Sequence, residues 1–167
     1  MLQIHPPKIS SADMRQALGQ FVTGITVVTC KKRDGSLYGM TVNSFNSVSL
    51  DPPLILWSLD NSSTHHDDFA NGYVVNVLSA QQISLCNQFA KSDETKRFDG
   101  VEFEIGTSGH PVIKDALASF ECSSWAVYAG GDHQIYVGEV VGLHTAPADA
   151  LTFFQGKIGS YPQSGGS

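Results

Sequence analysis

A single mainly-β domain, a barrel with a few short helices packed outside it, is the fold class this chain predicts. Three observations lead there. Its 167 residues suit one domain with one sizeable core. Its apolar segments are short, rich in Val and Ile, and bounded by close Gly, Asn and Asp turns, which is the chemistry of strands. No stretch alternates strand and helix as a doubly wound parallel sheet requires, whereas many strands joined by close turns suit a barrel.

The elements follow in order. Residues 1–9 read as an extended arm, broken by Pro6 and Pro7, ahead of a single domain over residues 10–160. Ser10 or Ser11 caps a helix whose apolar face carries Met14, Ala17, Leu18 and Phe21. A strand starts at Ile25, turns at Arg33-Asp34-Gly35-Ser36, and returns from Tyr38 to about Ser44; a third strand covers Asn46–Leu50. LILWSL, residues 54–59, and YVVNVL, residues 73–78, are nearly continuous apolar runs, expected as strands buried on both faces. A short helix fits within residues 62–71, with Asp67 and Asp68 towards solvent. Residues 79–90 have helical spacing at Ile83, Leu85, Cys86 and Phe89, capped by Ser79. Residues 91–111 read as irregular. Ala118–Tyr128 and His133–Leu143 alternate as two long strands, joined by a turn at residues 129–132; the first sets Phe120, Cys122, Ala126 and Tyr128 on one side, the second Ile135, Val137 and Val141. A last strand falls within residues 151–158, and residues 161–167 form a loose tail.

Composition narrows the function. Charged residues are 16% of the chain and apolar residues 41%, which is a globular balance. The net charge of −6, with no Lys/Arg run longer than Lys31-Lys32-Arg33, argues against a nucleic-acid partner, because phosphate neutralisation needs clustered cations. The three cysteines, Cys30, Cys86 and Cys122, are odd in number and have no CxxC spacing; they read as buried free thiols of a cytoplasmic protein. No apolar run approaches the length of a membrane span, and the N-terminus lacks the basic region and apolar core of a secretory signal.

The chemistry-bearing stretch is GMTVNSFNSVSLDPP, Gly39 to Pro53. Its small hydroxyl and amide residues can hydrogen-bond a phosphate or a heterocycle edge without bulk; it reads equally as a Ser/Asn-rich connection between strands. There is no GxGxxG after a strand, no P-loop, no GxSxG elbow and no HExxH helix. His65-His66-Asp67-Asp68 has metal-ligand residue types, but neighbours on a helix point about 100° apart, so a solvated helix start is the better reading. His133, after Gly131-Asp132, either meets a ligand carbonyl or phosphate or merely opens a strand. Trp57 and Trp125 sit in strand-like runs, which favours core or dimer packing over stacking on a cofactor. Arg97 beside Phe98 suits an anionic planar ligand, and is also a common surface pair.

With these residues in view, the chain resembles the short-chain flavin reductase family. The resemblance covers about residues 14–158. FVTGITVVTC, GMTVNSFNSVSLDPPLILWSLD, YVVNVLSAQQ, RFDGVEFE and GDHQIYVGEV carry it by their order and spacing. It implies an FMN-binding split β-barrel, Greek-key-like, with a few short peripheral helices. The implied activity is reduction of FMN or FAD by NADH or NADPH, for delivery to a partner flavin-dependent monooxygenase. A non-catalytic flavin-binding electron carrier or sensor is the alternative. The resemblance also implies a homodimer, with no membrane partner. It assigns Thr41, Asn43 and Ser44 to the isoalloxazine and ribityl chain, and Ser47, Val48 and Ser49 to the ring edge. Ser62 and Ser63 would hold the phosphate at the start of the short helix, Arg97 and Phe98 would flank the cofactor, and His133 would contact the nicotinamide nucleotide. No side chain is expected to act as a catalytic nucleophile, and no metal is expected. The chain departs from the family pattern at His65, where a Thr is usual, and at Gly156-Lys157-Ile158, where an arginine is usual.

Overall fold

A computed structural model describes residues 8–91 and 93–163; most of the expected arm and the end of the tail lie outside the described residues. Helix α1, Ser11–Leu18, starts where Ser10 Oγ accepts the Asp13 N–H at 3.0 Å, so the predicted cap is in place. The predicted apolar face is left uncovered among the described residues: Met14, Leu18 and Phe21 are all exposed.

The strands are β1 (Thr23–Gly24), β2 (Thr26–Lys31), β3 (Leu37–Val42), β4 (Asn46–Leu50), β5 (Pro53–Asp60), β6 (Tyr73–Val77), β7 (Phe103–Ile105), β8 (Pro111–Ile113), β9 (Ala118–Gly130), β10 (His133–Thr145), β11 (Ala150–Phe154) and β12 (Lys157–Tyr161). Helix α2, Ile83–Ala90, follows a 3-10 turn at Ala80–Gln82, and Ser79 and Gln82 form the capping box at its entry. Seven strands make one antiparallel sheet in the order β3-β2-β6-β9-β10-β5-β4. Its outer strands, β3 and β4, are joined by residues 43–45 alone. Three residues and their flanking links reach at most about 14 Å, so the sheet must curl until its two edges nearly meet. That is a barrel left open along one seam, the expected split barrel. β1, β11 and β12 form a second sheet beside it.

Two cores result. Val28, Cys30, Ile55, Trp57, Tyr73 and Tyr136 fill the inside of the curl. Val27, Leu78, Cys86, Phe89 and Ile113 pack outside it, beneath α2. β2 contributes Val27 to the outer core and Val28 and Cys30 to the inner one, and β6 is buried on both faces, which is why its sequence reads as a continuous apolar run. Asn76 is the polar exception in β6. Its amide donates to Val27 O and Thr29 Oγ1, and its carbonyl accepts from the Ile113 N–H and Ser119 Oγ, so its burial leaves nothing unpaired.

Three expectations are corrected. Residues 103–113 are not irregular: β7 and β8 pair as a hairpin, too short for its alternation to show. The final strand is the hairpin β11–β12, turning at Gln155 and Gly156, both at positive φ. The strict alternation of the long pair fails at two bulges. In β9 the extra residue is Trp125, and in β10 it is Val141. Each bulge swaps the faces beyond it, so Tyr128 and Val141 are exposed while Cys122 and Val137 are buried.

Candidate functional site

The open seam gathers Thr41, Asn43, Ser44, Ser47, Val48 and Ser49, whereas Ser62, Ser63, Arg97, Phe98 and His133 lie on other segments. β4 is an edge strand with one bulge, whose extra residue is Val48. An edge strand presents backbone groups no neighbour uses, and the bulge turns Ser47 to Ser49 away from a regular ladder. Val48 is 48% exposed, so its side chain forms part of the outer wall. Asn43 is exposed on the connection across the seam and lines two adjoining hollows. One, of about 640 Å³, has walls from Leu18, Phe21, Thr23, Phe153 and Gln155, with Arg15 at its rim. The other, of about 310 Å³, runs over Val22, Gly24, Phe45 and Asn46. Apolar walls with a few convergent amides and hydroxyls suit a flat heterocycle with a polar edge.

Thr41 and Ser44 serve the scaffold as well. Thr41 Oγ1 donates to Cys86 O at 2.8 Å, tying β3 to α2. Ser44 Oγ accepts the Ser58 N–H at 2.9 Å and fixes the seam connection to β5. Each oxygen keeps a lone pair for a ligand donor.

The 60–65 turn differs from expectation. The helix after it is a single 3-10 turn, His66–Phe69, and Ser62 and Ser63 precede it rather than open it. The Ser62 N–H donates to Asp60 Oδ1 at 2.7 Å and the Ser63 N–H to Asp60 O at 3.0 Å. Hydrogen bonds from Ser62 hold the Asp60 carboxyl below the usual carboxylate range. What Ser62 and Ser63 offer an anion is therefore hydroxyl groups rather than free amides. Ser63 Oγ already accepts the His65 N–H at 3.2 Å, which leaves its O–H free to donate.

His133 lies close to this turn. It pairs with Asp60 across β10 and β5. Asn61 binds the hairpin that carries it, with its N–H to Asp132 O at 2.9 Å and Nδ2 to Gly131 O at 3.0 Å. His133 opens its strand, Nδ1 sits 2.7 Å from Asp132 Oδ1, and 41% of the side chain is exposed.

Arg97 and Phe98 face inward. The Arg97 guanidinium is buried, donating to Gly39 O at 2.7 Å and twice to Lys91 O. Phe98 packs edge-on against Phe89 and Phe103 in the outer core. The His65–Asp68 run is not a solvated helix start either. Its two imidazoles are engaged by side chains from elsewhere in the fold, His65 by Glu94 and His66 by Tyr136. Among the described residues no group of His, Cys, Asp or Glu is arranged to hold a metal ion. Trp57 is wholly buried and Trp125 is half-exposed.

Sequence reasoning missed the far wall of the larger hollow, Phe153 and Gln155, which lies over a hundred residues from Asn43. The only local signal was an amphipathic α1 whose apolar face had no place within the barrel.

Comparison with known proteins decides the family. The flavin reductase like domain matches residues 18–162. The chain belongs to the flavin reductase family. An FMN reductase (NADH), SmoA, of Agrobacterium fabrum is 46% identical over 91% of this chain and 87% of its own length. A flavin reductase of Pseudomonas putida is 41% identical, covering 88% of each chain. The styrene monooxygenase flavin reductase of Pseudomonas putida S12 superposes with a TM-score of 0.82 at 31% identity, over 91% of this chain and 99% of that one. The open-seam barrel is thus the flavin reductase fold.

Proposed function

We propose that this flavin reductase reduces FMN or FAD with NADH and supplies the reduced flavin to a partner monooxygenase. The observation that carries the reading is the seam, where the Asn43 hollows reach Asn46 at the start of β4, ahead of its bulged edge at Ser47–Ser49. When bound, the flavin supplies the redox chemistry, as acceptor of the nicotinamide hydride. The residues of the chain bind and orient. Thr41, Asn43 and Ser44 direct hydroxyl and amide groups to the ring and its side chain. The Ser47 N–H is held by Asn46 Oδ1 at 2.9 Å, so the backbone N–H groups of Val48 and Ser49 on the bulged edge stabilise charge that develops on the ring edge during reduction. Ser62 and Ser63 donate hydroxyls to the phosphate. Arg97 and Phe98 flank the cofactor from behind, Arg97 by fixing the 91–97 loop to β3. His133 positions the nicotinamide.

The partner monooxygenase is supported by the likeness to the styrene monooxygenase flavin reductase. A homodimer is supported by the apolar side chains that the fold leaves outside: α1 and the bulge residues Val48, Trp125 and Val141. Three buried free cysteines favour the cytoplasm; no helix among the described residues is long and apolar enough to cross a membrane.

The test is NADH and NADPH oxidation with FMN, FAD or riboflavin added separately. The expected outcome is turnover only with added flavin. Tight flavin binding without any nicotinamide oxidation would favour an electron carrier instead.

A further inference from the structure

His65 stands at a junction that hydride transfer does not use. Its ring stacks on Tyr38, with centroids 3.7 Å apart and 17° between planes. Nδ1 lies 2.8 Å from Asp68 Oδ2, and Nε2 lies 2.9 Å from Glu94 Oε2. Ionised carboxylates only accept, so both contacts are hydrogen bonds when both ring nitrogens carry protons. Two further cations close the cluster. Lys32 Nζ is 4.0 Å from Asp68 and 5.3 Å from the Tyr38 ring centre. Arg97 is 4.0 Å from Glu94 and 5.4 Å from the same ring centre.

The cluster joins three segments of the proposed site. Tyr38 is on β3, three residues before Thr41. Glu94 belongs to the loop of Arg97 and Phe98. His65 ends the turn that carries Ser62 and Ser63, and its own N–H holds Ser63 Oγ. That turn is the part no strand ladder supports. Asn61 ties one end of it to the 131–132 hairpin, and His65 ties the other.

We propose that His65 is a positioning residue for flavin phosphate: clamped between Asp68 and Glu94, it holds Ser62 and Ser63 where their hydroxyls meet that group. The inference rests on the reading of Ser62 and Ser63 as the phosphate site. A general packing role would weaken every flavin alike, whereas this role separates flavins with a phosphate from riboflavin, which has none.

The experiment is fluorescence titration of FMN and riboflavin against the wild type, His65→Ala, Glu94→Ala and Ser63→Ala. Loss of one ordered hydrogen bond predicts a roughly three- to tenfold weaker FMN complex. Riboflavin affinity should stay near wild type in all three variants. If His65→Ala does not fold, Glu94→Ala removes one arm of the clamp at a partly exposed side chain and should alone lower the FMN-to-riboflavin ratio. Equal weakening of both flavins in His65→Ala, or an unchanged ratio in Glu94→Ala, overturns the positioning role. If Ser63→Ala lowers the ratio and the other two do not, the phosphate reading stands and this inference fails. An unchanged ratio in Ser63→Ala overturns the phosphate reading, and the inference with it.

Discussion

Asn43 and His133 test separate halves of the site. Asn43 lines both hollows and its amide has no fixed partner among the described residues, so Asn43→Ala removes ligand contact without disturbing a strand. The same holds for Ser49→Ala on the bulged edge. Each should weaken flavin binding by about 0.5–1.5 kcal/mol, up to about tenfold, measured by flavin fluorescence. His133→Ala should leave flavin affinity near wild type while raising KM for NADH or slowing anaerobic stopped-flow reduction. Loss of flavin with normal reduction per bound flavin would return His133 to a simple strand opener. The cysteines need no such role. Burial pushes the Cys30 and Cys122 thiols up to about 12 and also raises Cys86. Thiolate is the reactive form, so the folded protein should resist alkylation at neutral pH, and replacing all three cysteines should lower stability while sparing flavin reduction.

The turn between β7 and β8 is locked from both sides by titratable groups. Glu121 on β9 is buried, and its carboxylate accepts from Ser108 N–H at 2.7 Å and lies 2.7 Å from His144 Nε2. A side chain at Gly106 or Gly142 would collide with that carboxylate, which explains both glycines. Burial pushes the Glu121 carboxyl up, but hydrogen bonds from His144 and Ser108 outweigh it and bring the group to about 2. On the other side, His110 Nδ1 accepts the Lys31 N–H at 3.0 Å. Burial lowers the His110 pKa below the ordinary histidine value. In both cases the unfolded chain binds the proton more readily than the folded one, so stability falls as pH falls. His110 contributes first, below the ordinary histidine range; Glu121 contributes later, from the ordinary glutamate range down to about 2. Urea midpoints across pH should show both stages, and Glu121→Gln should remove the lower one alone. A midpoint independent of pH below neutrality would contradict this account.

As a molecule, the chain is a barrel with apolar side chains left outside it. Trp125 and Val141 are 52% and 55% exposed at their bulges, and Phe21 is 72% exposed beyond α1. The proposed homodimer would cover these side chains. Sedimentation of the purified protein should therefore give a dimer, and Trp125→Glu should shift it towards monomer with a lower melting temperature. A monomeric wild type at micromolar concentration would sink the dimer proposal. It would leave the seam to hold flavin within one chain.

Much of this was legible in the residues. YVVNVL read as a doubly buried strand because β6 is buried on both faces. Ser10 and Ser79 announced two helix starts because capping is local chemistry between residues three apart. The proposed flavin segment stood out by its small hydroxyl and amide residues, which read equally as a connection between strands; the resemblance gave it the flavin role. What stayed hidden depends on pairing between distant segments. A bulge is defined by the partner strand, so nothing in β9 or β10 alone shows that Trp125 and Val141 reverse the alternation. Ser62 and Ser63 were expected at the start of the short helix, and only the folded chain shows them before it, with Asp60 accepting from both amides. His65 looked like solvated polarity, until the fold brought Tyr38 and Glu94 to its ring. Local hydrogen bonding and periodicity act between neighbours in sequence, whereas the closure of the seam and the clamp at its phosphate side require contacts that exist only once the sheet has curled.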